Sequence, residues 1–399
     1  MPKDKQKFNI IAFSNQLWDF PNWTNKRHVM SRMAKLGHNV LFVDPPINLG
    51  RVFLRQVLRG HWSLKRLLTQ TKKDPSGAII YSPVNVIPIK SITAWIHAQR
   101  LKLLAKKHLK TEQKTLVWIY HVEIAHLPTY LEALDKDLLI YDCVDNYEAF
   151  PKYDTEEKKE VVRKKERYLA SKADLIFATA PGLLDKLKKY NKNVFFAPNV
   201  GDFERFYKVK ERIKDLPKEF ADIPQPRVGY IGAMDEYKFD ADLMRKVAQD
   251  HPHISFVLIG QIALKDRSAT LDDIGLAGLD NIHFLGYRPY PISDGYHAGF
   301  DAYIIPYQLN EYTVGGCFPV KFHNALAAGL PTVVTDLPAY LPFKDVCYIA
   351  KTPEEFSEMV QKALIQDDAD KIRARQKVAK ENSWDGKVRK MLDIVKQHL

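Results

Sequence analysis

The sequence predicts an α/β protein built from two Rossmann-like, doubly wound domains facing each other across a cleft. Short apolar runs alternate with helical patterns from end to end, as parallel sheets with crossover helices require. A length of 399 residues exceeds one ordinary core and fits two α/β domains. A polar connector at 209–226, with three prolines and no clean periodicity, separates two stretches that each show the alternation.

In the first half, strands are expected at 9–13, 39–43, 78–81, 116–120, 138–142, 175–178 and 194–197. Helices fill the gaps, notably 25–36 stopped by Gly37, 92–109 and 155–172. The second half restarts with strands at 227–231, 255–259, 282–285, 302–306, 332–335 and 347–350, and ends in helices near 353–364, 370–381 and 384–397. The expected map is an N-terminal Rossmann-like domain at 1–208, a linker at 209–226 and a C-terminal Rossmann-like domain at 227–382. A last helix, 383–399, is a candidate to pack back on the first domain.

No run approaches eighteen uninterrupted apolar residues, so no membrane-spanning helix is expected. The basic start, Met1 to Lys7, lacks the apolar core of a signal peptide, and a cytoplasmic location is expected, with peripheral attachment to the inner face of the cell membrane as an extension. Cys143, Cys317 and Cys347 are odd in number and lack metal spacing, which reads as buried small hydrophobes.

The net charge of +12 is unevenly divided: residues 1–200 sum to +15 and residues 201–399 to −3. A basic half beside a near-neutral one points to an anionic surface or acceptor on one domain. Much of the excess lies between Arg51 and Lys73, where Arg55, Arg59, Lys65 and Arg66 alternate with apolar residues including Trp62, and no acid intervenes. Such a stretch suits an anionic membrane surface or acceptor contact; a core-packed helix with a solvated basic face is the competing account. A second basic helix, Arg100 to Lys114, adds to the membrane side. Nucleic acid is disfavoured, because aromatic RNA motifs are missing and the second half is neutral.

The most specific segment runs from Asn310 to Thr335: a loop with Gly315 and Gly316, a helix opening near Pro319, a stop at Gly329 and a buried strand. A loop entering a helix N-terminus is an anion site, and the two glycines would let the backbone approach a diphosphate. Lys321, in the first turn, would add a full positive charge. On these grounds alone an ordinary βαβ unit with a solvent lysine is the competing account.

The segment resembles the donor-binding element of the retaining GT-B enzymes of glycosyltransferase family 4 and their bacterial cell-envelope relatives. Its usual form is P-L-K-x-x-E-Y-L-A-A-G-x-P-V-V-x-T, met here by Pro319-Val320-Lys321 through Thr335. The likeness extends to Phe284-Leu285-Gly286-Tyr287, to Asp301 through Tyr307, to Tyr230-Ile231-Gly232-Ala233, and in the first half to Val43-Asp44-Pro45-Pro46 and Pro198-Asn199-Val200. It spans most of the chain, and among these relatives the teichuronic-acid glycosyltransferases of Gram-positive bacteria look most similar. The resemblance implies Gly232, Lys238, Tyr287, Thr313, Gly315, Gly316, Pro319, Lys321 and Asn324 as donor contacts.

Two departures stand out. Asn324 occupies the place of the glutamate thought to bind the donor ribose, and Gly316 that of its partner glutamate. After Gly232, Ala233 stands where many relatives carry an arginine, leaving Lys321 and Lys238 to neutralise the leaving diphosphate.

For the acceptor, carboxylates and histidines at strand ends are the candidate bases. Asp145, just past the 138–142 strand, is favoured as base or acceptor ligand; an inverting GT-B glucuronosyltransferase family looks similar here, and a turn or helix-cap role is the alternative. His121 and Glu123 follow the 116–120 strand toward the same edge. Asp240-Ala241-Asp242 spells a D-x-D but opens a predicted helix, so no metal is expected.

The reading is a metal-independent glycosyltransferase that uses a nucleotide-sugar as co-substrate, with a UDP-sugar favoured as the commonest donor in the fold, and needs no other cofactor. Its acceptor is a hydroxyl of a lipid-linked or polymeric cell-envelope glycan. A noncatalytic binding or scaffold subunit of the same fold is the alternative that Asn324 and Gly316 suggest.

Overall fold

The computed structural model describes residues 6–20, 23–49, 57–58, 70–85, 89–150, 152–262, 269–316, 318 and 320–399. In chain order the strands are β1 Asn9–Phe13, β2 Asn39–Val43, β3 Ile47–Asn48, β4 Thr71–Lys73, β5 Ile79–Tyr81, β6 Val84–Asn85, β7 Thr115–Ile119 and β8 Leu138–Cys143. They continue with β9 Leu175–Ala178, β10 Val194–Phe196, β11 Arg227–Ile231, β12 Ser255–Ile259, β13 Ile282–Gly286, β14 Ala302–Ile305, β15 Thr332–Thr335 and β16 Tyr348–Ala350.

The chain divides into two compact units: unit 1, Met1–Ala197 with Val388–Leu399, and unit 2, Pro198–Lys387. Unit 1 holds an eight-stranded sheet in the order β10-β9-β8-β7-β1-β2-β5-β4. All its pairings are parallel except β4 with β5. Its central strands are buried throughout, as a sheet covered on both faces requires. The antiparallel β4 is an edge strand whose Lys72 and Lys73 are exposed, and charge blunts an open edge. Its polarity also hides it from an apolar-run reading, which passes over it and the two-residue pair β3–β6.

Unit 2 holds a parallel six-stranded sheet in the order β13-β12-β11-β14-β15-β16. The order reverses direction at β11–β14 here, and at β1–β7 in unit 1. In open α/β sheets such a reversal opens a crevice at the carboxyl ends of the strands.

The expected boundary at 208/209 moves to 197/198, and the expected linker is no linker. Phe203, Phe206, Val209, Phe220 and Ile223 are buried in the core of unit 2. The segment 209–226 lacks periodicity because short helical turns, Val209–Arg212 and Lys218–Phe220, carry these anchors. The last helix, Trp384–Gln397, starts in unit 2 and ends with residues that belong to unit 1, where the His398 ring meets Phe195 edge-on at 5.3 Å.

Candidate functional site

In unit 2 the site candidates gather at the carboxyl end of β11. Gly232 follows the strand directly, and its N–H donates to the Ile259 carbonyl at 2.8 Å. Gly260, at φ +150°, lies so close that a Cβ there would fall 1.8 Å from the Gly232 carbonyl oxygen. At Gly260, where the clash is with backbone, only a residue without a side chain fits.

Into this gap reaches Lys321, from the first turn of helix Val320–Ala327. Its ammonium donates to the Tyr230 hydroxyl at 3.0 Å, 4.2 Å from that ring's centroid and 5.1 Å from the centroid of Tyr307. A Cβ on Gly232 would fall 1.9 Å from Lys321 Nζ. The missing side chain at Gly232 therefore makes room for a cation held by two aromatic faces at the reversal point of the sheet. Sequence alone placed these residues at separate strand and helix ends; the fold joins them.

Lys238 lies in the loop after β11, with its ammonium 5.2 Å from the Tyr237 ring centroid and 5.0 Å from that of Tyr312. The loop is fastened to the segment after β14, since the Gln308 N–H donates to the Lys238 carbonyl and the Asn310 amide to the Tyr237 carbonyl. The expected open glycine loop is instead a short helix, Glu311–Gly316, which ends on Gly315 and Gly316. Asn310 starts it: its side-chain oxygen accepts the Thr313 N–H at 3.0 Å, and the Thr313 hydroxyl accepts the Asn310 N–H at 3.0 Å. This reciprocal cap overrides the glycines locally and gives the buried Thr313 hydroxyl structural work. Pro319 and Cys317 lie outside the described residues.

Asn324 is 6% exposed, and its Oδ1 accepts the Asp202 N–H at 2.9 Å. It pins 201–202 against helix Val320–Ala327, where Gly201 is needed because a Cβ would meet His323 Cβ at 2.7 Å. Tyr287 is half-buried just beyond β13, and its carbonyl accepts from Arg288. Asp240 caps helix Ala241–Asp250 by accepting the Leu243 N–H at 2.9 Å. Among the described residues, no three His, Cys, Asp or Glu side chains group as a metal would need.

Unit 1 has a cavity of about 790 Å³ at the carboxyl ends of β1, β2, β5 and β7. Asn15, Asp44, His97, His121, Glu123 and Tyr130 contribute to its wall. Asp44 is fixed, with Oδ1 accepting from the Trp18 N–H at 2.7 Å and Oδ2 from the Ser82 hydroxyl at 2.6 Å. His97, from helix Lys90–His108, meets Asn85 Oδ1 at 2.9 Å and the Tyr81 hydroxyl at 3.2 Å, and burial lowers its pKa.

His121 Nδ1 accepts the Glu123 N–H at 3.0 Å, so its proton sits on Nε2. Burial, then the charge of Lys26, pushes its pKa down to about 3. The ring is therefore neutral, its Nδ1 lone pair is taken by the Glu123 N–H, and its Nε2–H is left as a hydrogen-bond donor. Burial raises Glu123, but the hydrogen bond and the charge of Lys152 outweigh it and leave the carboxyl below its ordinary value. Glu123 is thus ionised at the cavity wall.

Asp145 does not line this cavity. It lies just after β8, where with Asp142 it offsets the charge of the buried Lys26, whose pKa burial lowers. Lys26 also donates to Asn15 Oδ1 at 2.6 Å. The signal missed in sequence was a lysine on the buried face of helix Asn25–Lys35, which demands a nearby acid. Arg55, Arg59, Trp62, Lys65 and Arg66 lie outside the described residues.

Residues 225–366, within unit 2, match the model of a family described as glycosyl transferases group 1. No curated protein sequence matches the chain. Among solved structures, sucrose-phosphate synthase from Thermosynechococcus elongatus is similar at TM-score 0.68 and 15% identity, over 98% of this chain and 99% of that one. Anabaena HepE in complex with UDP and glucose is similar at TM-score 0.67 and 12% identity, over 98% and 100%. The UDP-forming α,α-trehalose-phosphate synthase from Burkholderia xenovorans, in complex with glucose-6-phosphate, is similar at 0.67 and 13%, over 97% and 99%. The fold is that of the GT-B glycosyltransferase structures, an α/β chain with parallel sheets.

Proposed function

We propose that the protein is a glycosyltransferase that moves a sugar from a nucleotide-diphosphate donor, a UDP-sugar first, onto a hydroxyl of a lipid-linked or polymeric cell-envelope glycan. The observation that carries this is the Lys321 ammonium over Gly232 at the reversal point of the unit 2 sheet. The match of residues 225–366 to the glycosyl transferases group 1 model supports it, as do the UDP-bound complexes among proteins of similar fold.

In the transfer, the acceptor oxygen forms a bond to the anomeric carbon while the bond to the β-phosphate oxygen breaks, and its electron pair leaves with the nucleoside diphosphate. Lys321 meets that growing negative charge, which a preorganised cation stabilises more in the transition state than in the ground state. The cavity of unit 1 suits an acceptor sugar: its His97 and His121 are neutral, and burial holds the Tyr130 hydroxyl protonated with a pKa pushed up to about 12. Neutral donors and acceptors fit hydroxyls, and Glu123 supplies the carboxylate that takes the acceptor's proton. Asp145 has the separate task of neutralising Lys26.

Thermal-shift titration with UDP, GDP, CMP and dTDP tests the donor site. One nucleotide is expected to raise the melting temperature of the wild type and not of Lys321→Ala. No stabilisation by any of the four would overturn the reading. Stabilisation without transfer to any glycan acceptor would favour the second reading, a binding or scaffold subunit, which Asn324 in its structural role also fits.

A further inference from the structure

Helix Lys90–His108 is apolar on two opposite faces. Its inner face, with Thr93, Ala94, His97, Ala98, Leu101 and Leu104, is buried, and the first three also line the unit 1 cavity. The outer face carries Ile92, Trp95, Ile96 and Leu103, all exposed, with Trp95 at 58% and Leu103 at 59%. At 100° per residue these four fall within about 100° of arc, and Ile92 to Leu103 runs ~16 Å along the axis.

The charges on this helix follow the same geometry. Arg100 and Lys107 flank the apolar stripe on one side and Lys102 on the other, while Gln99 and Lys106 fall within its arc, and all five are exposed. The helix contains no acid. A soluble surface has little reason to expose tryptophan, two isoleucines and leucine in one line, and a protein partner of ordinary composition would not ask for cations on both borders. An apolar stripe framed by cations matches a bilayer whose headgroups are anionic: the side chains enter the acyl boundary while the ammonium and guanidinium groups stay at phosphate level.

We propose that the outer face of helix Lys90–His108 docks unit 1 on an anionic membrane surface. Docking here sets the membrane on one side of a helix whose other side walls the cavity, so a saccharide anchored in the same leaflet has a short path to it. The surface is independent of the proposed transfer chemistry, because it uses none of the residues assigned to donor or acceptor.

The test is co-sedimentation of the full chain with vesicles of phosphatidylcholine alone or with a third phosphatidylglycerol. Wild type is expected to pellet with the anionic vesicles, with affinity at least roughly tenfold weaker on neutral vesicles or in 0.5 M salt. Trp95→Gln with Leu103→Gln is expected to stay in the supernatant while keeping the wild-type melting temperature, since both side chains are exposed. In a second readout, Trp95→Phe should still pellet but lose a blue shift of emission that wild type shows on anionic vesicles. Wild type remaining in the supernatant would overturn the proposal. So would a Trp95→Gln/Leu103→Gln variant that pellets normally, with binding lost instead on neutralising Arg55, Arg59, Lys65 and Arg66. Light scattering that shows a dimer in wild type and a monomer in the double variant, without vesicle binding, would assign the face to a second copy of the chain.

Discussion

The Lys321 ammonium sits 4.2 Å from the centroid of the Tyr230 ring and donates to that residue's hydroxyl at 3.0 Å, 91 residues away in sequence. The ring lowers the cost of holding a half-buried cation before an anion arrives. Lys321→Met should therefore weaken UDP binding about 10- to 100-fold, the range of a charge-assisted hydrogen bond. The melting temperature without nucleotide should stay near wild type. Calorimetric titration and a thermal melt read the two effects separately.

Gly232 and Gly260 separate function from fold. Gly232→Ala places a methyl group against the mobile end of Lys321, so the ammonium is displaced, nucleotide affinity falls and the fold survives. Gly260→Ala drives a methyl into the Gly232 backbone from a left-handed conformation, with no mobile atom to give way. It should cost about 2 kcal/mol or more in a urea melt. Equal losses of stability in both variants would contradict this division.

On the acceptor side, Glu123→Gln should lower kcat about 10²-fold or more while leaving the acceptor KM within a few-fold. Because the Glu123 carboxyl titrates below its usual range, the acid limb of the wild-type rate profile should lie below about pH 4.5. Asp145→Asn should instead leave the buried Lys26 facing Asp142 alone and lower the stability of unit 1 in a urea melt. If Asp145→Asn removed transfer from a fully folded protein and Glu123→Gln did not, the base would be Asp145.

Unit 2 should also be acid-sensitive well above the carboxylate range. Burial depresses His323 to about 3 and His297 to about 4, the latter despite a 2.8 Å hydrogen bond between its Nδ1 and the Ser293 carbonyl. Above pH 6.5 both are neutral folded or unfolded, and their contribution is intact. As pH falls from 6.5 toward 4, the unfolded chain takes up protons that the folded one refuses. Each histidine then subtracts up to about 1.4 kcal/mol per pH unit. Melts between pH 7 and 5 should show this fall, and His323→Gln should flatten it.

Asn324→Ala leaves the Asp202 N–H without its acceptor in a buried place and should cost about 1–3 kcal/mol, whereas Asn324→Asp retains an acceptor and should cost less. Nucleotide affinity should change little in a folded Asn324→Ala protein if the side chain is structural; a large selective loss would restore it to the ribose.

The strands and long helices could be read from the chain because each depends on a local period. β1, β2, β9, β11, β12 and β15 begin and end where apolar runs do, and the helix expected from 155 starts there, with Thr155 accepting the Lys158 N–H. The position of Lys321 in a first turn was legible for the same reason. What only the tertiary structure decided are contacts that depend on strand order, which no local period encodes. Strand order sets Gly232 beneath Lys321, joins Asn324 to Asp202 across 122 residues, and assembles His97, His121, Asp44 and Glu123 around one cavity. It also decided which apolar face of helix Lys90–His108 is buried. Both faces carry enough apolar surface to serve, and only the packing of Ala94, Ala98 and Leu101 into unit 1 leaves Trp95 and Leu103 outside.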